Sequence, residues 1–235
     1  MMSRLFGKRS IQDELRSYYF TVTFIMKTMP QLLDPILTEA ELDSMYDRPA
    51  STSIRKATRQ LTPAYRAMIE ASPFLIIATI GARGIDCSPR GDAPGFVRVQ
   101  DDSTLLVPER RGNNRLDTLR NVLADPRASL LFMIPGISEM LRVNGRAALS
   151  RNPDLCASFE VNGSVPKVVI VFEIEQVMFQ CARAIVRSQL WNPAQFREPG
   201  EVPTAGKMLA EATAGQEGGA EYDALLPGRI KNSLY

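Results

Sequence analysis

The sequence predicts a mainly β fold, an antiparallel barrel flanked by helices, and three observations carry that expectation. Apolar, β-type runs dominate from residue 74 to residue 179. Most of them are joined by short turns containing Gly, Asp or Pro. Little chain is left between them for the connections of about a dozen residues that parallel neighbours require, so successive strands pair antiparallel.

Residues 1–33 read as a dispensable N-terminal extension. Arg4, Lys8 and Arg9 precede an apolar run from Tyr18 to Met26, but Asp13 and Glu14 interrupt the approach and no small-residue cleavage site follows. The run is short of the roughly 20 residues that span a bilayer, so no membrane partner is expected. A membrane-associated segment is the competing reading. Thr38-Glu39-Ala40-Glu41 is a capping box that opens a short helix with Leu42 and Met45 inward. Thr62-Pro63 opens a second, whose inward face is Tyr65, Met68 and Ile69, and Ser72-Pro73 stops it.

The strands follow. Residues 74–80 and 85–90 form a hairpin through Gly81-Ala82-Arg83-Gly84, and residues 96–100 and 104–107 form another through Asp101-Asp102-Ser103. Leu116, Leu119, Val122 and Leu123 recur at helical spacing up to Asp125-Pro126, with Asn113 or Asn114 as the cap. Residues 128–134 are again a strand. Residues 141–149 alternate, with Leu141, Val143 and Ala147 inward and Arg142, Asn144 and Arg146 on the solvated face. Asn152-Pro153 caps a short helix, and residues 168–179 form a long last strand. The domain is expected over residues 34–195. The tail, 196–235, is rich in Gly, Ala, Glu and Pro, so one helical piece at 205–212 is expected within otherwise extended chain.

Composition excludes several kinds of chemistry. A net charge of +2 gives no global attraction to nucleic acid, and no such partner is expected. Cys87, Cys156 and Cys181 are far apart and odd in number, which suits a reducing, cytoplasmic compartment and matches no metal-site spacing. Cys87 and Cys181 read as small buried apolar residues. The chain has no histidine. Ser-His-Asp and Cys-His catalysis are therefore excluded, and chemistry without histidine points to a borrowed cofactor.

The stretch from Val107 to Asn121 is the best candidate for holding one. It passes from a strand end through a glycine-containing loop into a helix, bringing Arg110, Arg111, Arg115, Asn113 and Asn114 to a helix N-terminus. Exposed N–H groups, amides and guanidiniums there suit a phosphate. The competing reading is an ordinary solvated basic loop.

Four segments align in order: Ser88-Pro89-Arg90-Gly91-Asp92 with Gly95-Phe96-Val97, the loop 107–121, Leu141-Arg142-Val143-Asn144-Gly145, and Cys181 through Trp191. Together they resemble the pyridoxamine 5′-phosphate oxidase-like family, and its branch of FMN-dependent enzymes in particular, over residues 34 to 235. The resemblance implies a split β-barrel, a homodimer, and FMN in a groove at the subunit interface. It makes Arg90 and Arg115 the phosphate partners, with Asn113 and Asn114 beside them and Arg110 in the same loop. Backbone groups at 88–91 and 107–109, including Ser88, Gly91 and Val107, would line the ring and ribityl chain. Arg187, Ser188 and Trp191 would close the site, from the same chain or, as in the family's founding enzyme, from the partner subunit, with Arg183 or Arg187 supplying positive charge at the flavin ring. Trp191 read without the resemblance is an ordinary core or interface anchor. The branch often carries His where this chain has Gln180, and Lys where it has Arg183. The founding enzyme's substrate-phosphate pattern is not recognisable, so its activity is not inherited.

The expectation is thus an FMN-dependent oxidase or reductase acting on a small organic molecule, with no catalytic side chain assigned. The alternative is a non-catalytic holder of flavin, deazaflavin or another cofactor on the same barrel. Haem lacks its usual histidine ligand here.

Overall fold

The computed structural model describes residues 36–82 and 84–235. The expected extension at 1–33, and Arg83 of the first hairpin, lie outside them. The chain divides into two compact units after Ala50. The described part of the first holds α1 (Glu39–Met45), opened by Thr38. Thr38 Oγ1 accepts from the Glu41 N–H at 3.1 Å, and the Glu41 carboxylate accepts from the Thr38 N–H at 3.1 Å. Leu42 and Met45, expected inward, are exposed. A capping box starts a helix through local hydrogen bonds and does not decide which face is covered.

In the second unit, α2 (Ser51–Arg55) and α3 (Pro63–Ala71) precede the sheet. Thr62 caps α3 by accepting from the Tyr65 N–H at 3.2 Å. The strands are β1 (Phe74–Gly81), β2 (Gly84–Gly91), β3 (Arg98–Val99), β4 (Thr104–Pro108), β5 (Arg127–Met133), β6 (Met140–Ser150) and β7 (Val169–Gln180). They form one antiparallel sheet in the order β2-β1-β5-β6-β7-β4-β3. Leu75 and Ile77 of β1 share a single buried cluster with Leu105 and Val107 of β4, although three strands separate β1 from β4 in that order. A flat sheet cannot do this, so the sheet curls around its core and stays open between β2 and β3. That is a split barrel. Ile69 of α3 packs into the same core with no exposure, and Tyr65 and Met68 lie against it as their spacing implied.

Two local features set the barrel's shape. The β6–β7 register shifts between Asn144 and Gly145, and a Cβ at Gly145 would collide with the Glu173 carbonyl and the Phe172 ring. Glycine is what lets the two backbones approach there. β3 is shorter than expected, because Phe96 and Val97 are buried in the core without ladder partners in the sheet.

The remaining helices are α4 (Asp117–Ala124), α5 (Pro153–Ala157), α6 (Arg183–Ser188), α7 (Ala205–Ala212) and α8 (Gly219–Ser233). The tail corrects the expectation of extended chain. α7 stands where it was expected, but α8 adds fifteen helical residues beyond it. Gly206 lies against the Gly219 carbonyl and Asp223, and Asp223 accepts from Thr204 Oγ1 at 2.6 Å and from the Gly206 N–H at 2.7 Å. The glycines that suggested disorder in the sequence are the ones that let these helices pack closely. Cys156 is buried, while Cys87 and Cys181 are exposed, contrary to expectation. Cys87 lies on the uncovered face of β2, an edge strand. Among the described residues, no helix is long and apolar enough to cross a membrane.

Candidate functional site

β2 alternates, and Asp86, Ser88 and Arg90 therefore share its half-buried face while Ile85, Cys87 and Pro89 share the exposed one. The half-buried face forms one wall of a cleft of about 1100 Å³. A second wall is the loop from Glu109 to Leu116 with the first turn of α4, and a third is the segment 164–168 that leads into β7. Tyr235, just past α8, completes the lining.

The β2 wall is closed by internal pairing. Arg90 Nε donates to Glu109 Oε2 at 3.0 Å, and its other nitrogens donate to Thr118 Oγ1 at 3.2 Å and the Pro89 carbonyl at 2.9 Å. Thr118 Oγ1 donates to Asp86, as does Ser88 Oγ at 2.9 Å. Burial pushes the Glu109 carboxyl above the usual carboxylate range; the Arg90 charge opposes this and nearby Asp86 reinforces it. At the other end of β2, Asp92 accepts from Arg110 Nε at 2.7 Å and from the Tyr235 hydroxyl at 2.7 Å. Burial raises the Asp92 carboxyl, but the bonds from Tyr235, the Ala93 N–H and Arg110 together hold it below the ordinary value. Arg110 also donates to the Phe159 carbonyl at 2.6 Å and lies 5.8 Å from the Tyr235 ring centroid.

The loop is different. Arg111, Gly112, Asn113, Asn114 and Arg115 are all exposed. Asn114 and Leu116 adopt left-handed backbone, with φ of 60° and 62°. For leucine this is strained, a cost of about 1–3 kcal/mol. Neither asparagine caps α4. The N-cap is Leu116, with no side-chain hydrogen bond, while Asn113 Oδ1 accepts from the Arg115 N–H at 3.0 Å. The two left-handed residues turn the chain so that the asparagines fall short of the helix end. The first-turn N–H groups of α4 accordingly lack a capping side chain. Arg115 Nε pairs with Asp117 at 2.8 Å in a largely exposed geometry. Such pairs are weak and exchange readily.

Of the residues expected at the site, Ser88, Arg90, Gly91, Arg110, Asn113, Asn114 and Arg115 meet in this cleft. Val107, expected to contribute its backbone, is not among the lining residues, and its side chain is fully buried in the barrel core. Arg183, Arg187 and Ser188 are exposed on α6, away from the cleft lining, and Trp191 Nε1 donates to the Ile137 carbonyl at 2.8 Å. A single chain thus does not bring the second group to the first. Asp86, Thr118, Lys167 and Tyr235 also line the cleft and were not singled out beforehand, and at Glu109 only the backbone was, not the carboxylate. Asp86 and Thr118 had a signal, since Asp86-x-Ser88-x-Arg90 is a one-face strand pattern and Thr118 lies in the first turn of the helix. Tyr235 had none. Among the described residues, no cluster of Cys, Asp or Glu is arranged to hold a metal ion.

Residues 61–181, more than half of the chain, match the family described as pyridoxamine 5′-phosphate oxidase. The chain belongs to this family. No curated protein sequence matches it. Among solved structures it is similar to HupZ of Group A Streptococcus, at 19% identity and a TM-score of 0.42, over 50% of this chain and 91% of that one. A candidate pyridoxamine 5′-phosphate oxidase from Lactobacillus delbrueckii is 21% identical, with a TM-score of 0.41, over 52% and 95%. An F420 reductase is 15% identical, with a TM-score of 0.37, over 51% and 98%. The family segment runs from the approach to α3 through the end of β7 and so includes all three walls of the cleft. It ends before α6, α7, α8 and Tyr235.

Proposed function

We propose that the protein is an FMN-dependent oxidoreductase acting on a small organic molecule, as a homodimer. The observation that carries this reading is the exposed loop 111–115, with its left-handed turn into an uncapped α4, at the edge of a family-type cleft. Its donor set fits a phosphate: the guanidiniums of Arg111 and Arg115, the amides of Asn113 and Asn114, and the first-turn N–H groups of α4. Arg90 fits less directly. It is held by Glu109 and Thr118, and would reach a phosphate only by exchanging Glu109 for it.

A cleft of about 1100 Å³ exceeds the roughly 300–1,000 Å³ typical of small-ligand pockets, which leaves room for a substrate beside a cofactor. The chemistry that FMN supplies when bound is hydride and electron transfer. The protein's part is to hold and orient. Ser88, Gly91 and the Arg90–Glu109 pair form a polar wall along β2, and Arg183 or Arg187, with Ser188 and Trp191, would be contributed by a partner subunit. Exposed apolar residues on the barrel, on α6 and just after it, such as Ile85, Ile80, Val186 and Leu190, support such a partner. Light scattering on the flavin-loaded protein should give a dimer, and a flavin-loaded monomer would remove the partner contribution.

The non-catalytic reading is favoured by one observation: Asp86, Glu109 and Asp92 are each hydrogen-bonded within the protein itself. Spectroscopy separates the two. Purified protein should carry FMN that is reduced by NADH, NADPH or a chemical donor and reoxidised by air or another acceptor. Flavin that binds tightly yet resists every donor makes the protein a holder, and protein that takes up no FMN removes the FMN-dependent reading and leaves only a holder of another cofactor.

A further inference from the structure

The two ends of the cleft differ in chemistry. An extended strand rises about 3.3 Å per residue, so Asp86 and Gly91 of β2 lie about 17 Å apart. At the Asp86 end stand Thr118, in the first turn of α4, and the exposed Arg115. At the Gly91 end stand Asp92, Arg110 and Tyr235. There one charged pair is internally neutral: Arg110 and Asp92 meet at 2.7 Å, with side chains only 15% and 4% exposed, while Arg111 and Lys167, which also line the cleft, are exposed to solvent. An ion entering beside that pair would shed water without gaining a counter-charge. What the pair supports is the Tyr235 ring, held by its hydroxyl on Asp92 and by the Arg110 guanidinium. An aromatic side chain offers a flat apolar surface with a polar handle.

We infer that the Tyr235 end of the cleft is its substrate end, selective for flat uncharged organic molecules, with Tyr235 as the specificity-determining residue. This rests on the reading of the opposite end as the phosphate end. The α7–α8 hairpin that precedes Tyr235 lies outside the family segment 61–181, so this selectivity is an addition to the barrel. The hairpin is itself well tied: Asp223 bridges Thr204 and Gly206, and Gly218 packs against the Gly206 carbonyl and Ala210.

The test uses 2-naphthol as a flat uncharged probe and naphthalene-2-sulfonate as its anionic counterpart. Each is titrated calorimetrically into the wild type, Tyr235→Ala and Tyr235→Phe, with and without FMN. The wild type should prefer 2-naphthol over the sulfonate by about tenfold or more. Tyr235→Ala should weaken 2-naphthol by about tenfold and Tyr235→Phe by much less, since the ring survives. FMN affinity and melting temperature should stay unchanged in both variants. Equal affinity for the two probes, or 2-naphthol binding unaffected by Tyr235→Ala, overturns the inference. So does a parallel loss of FMN and 2-naphthol, which would make Tyr235 a support for the whole cleft. A wild type that binds no FMN overturns the flavin reading alone, because the flavin-free titrations still score Tyr235.

Discussion

The barrel interior and the cleft are built from the same strands, and the contrast is sharpest within one short stretch. Val107 is fully buried among the core side chains, and Glu109, two residues later, stands in the cleft against Arg90. Inside the barrel the neighbours are mostly apolar, as in the cluster that holds Leu75, Leu105, Val107 and Phe172, so a change of volume is felt at once. In the cleft the groups are polar and paired, but the pairs are of two kinds. Those on β2 are half-buried and have several partners. Those on the loop 111–116 are exposed, and among the described residues the guanidinium of Arg115, itself largely exposed, is held by its bridge to Asp117. Stability should therefore reside in the first region and ligand selectivity in the second, with the β2 wall contributing to both.

The strongest way to break this contrast is in the barrel. Gly145→Val sets a branched side chain against the Glu173 carbonyl and the Phe172 ring, and no rotamer relieves a collision that begins at Cβ. Loss of soluble, cooperatively folding protein is expected, measured as the absence of a sharp melt. A variant that melts like the wild type would show that β6 and β7 separate freely at the bulge. Phe172→Ala is milder. It removes a fully buried ring, and comparable truncations cost about 3–5 kcal/mol. Urea unfolding should show this loss while FMN affinity, where the protein still folds, changes little.

Arg115→Ala moves the test to the loop. Charge-assisted hydrogen bonds contribute about 1.5–3 kcal/mol, so FMN should weaken by roughly 10- to 150-fold. Riboflavin, lacking the phosphate, should hardly respond, and stability should stay nearly unchanged because the Arg115 side chain is largely exposed. Calorimetric titration with both flavins reads the difference. Equal weakening of the two would make Arg115 a support for the loop, and no change in either would leave it a solvated side chain.

The sequence disclosed the barrel better than the site, and particular residues show why. Period-two alternation and Gly- or Asp-rich turns are local signals, and the strands at 74–80, 85–90 and 141–149 followed from them almost to the residue. Arg90 and the loop 110–115 were also legible, since a strand–loop–helix passage with clustered arginines is local too. Glu109's partnership with Arg90 was not, because it joins residues nineteen apart. Tyr235 lay further from reach: it meets Asp92 across 143 positions, and its path passes through a glycine-rich tail that read as extended. Compositional rules see glycine as freedom, whereas Gly206 and Gly218 here are sites of close helix approach. The segment from Arg183 to Trp191 drew its expected role from family resemblance alone, and among the described residues it is not part of the cleft lining.

Glu109 gives the smallest effect and sharpens the contrast most, since it belongs to the wall that serves both stability and binding. Its carboxyl is raised above the ordinary value by burial, against the attraction of Arg90. The sign follows by linkage. Between its ordinary value, about 4.3, and the raised one, the folded state binds more protons at this site than the unfolded state does. Stability from this site is therefore highest below the ordinary value, falls as pH rises through that window, and is level above it. Asp92 and Asp125 behave oppositely. Asp92 is lowered and Asp125 is lowered to about 2, so their contributions are complete above the ordinary aspartate value, about 3.9, and are lost only in stronger acid. The window above about pH 4.5 therefore belongs to Glu109 among these groups. Glu109→Gln keeps the size of the side chain and removes the titration. Urea unfolding of both proteins from about pH 4.5 to 7 should show a wild type that loses stability relative to the variant as pH rises. Removing the charged partner of Arg90 adds an offset that does not depend on pH, so the slope and not the height of the difference is the measurement. A difference that stays constant means the carboxyl is not raised, and one that grows in favour of the wild type means the Arg90 pair outweighs burial.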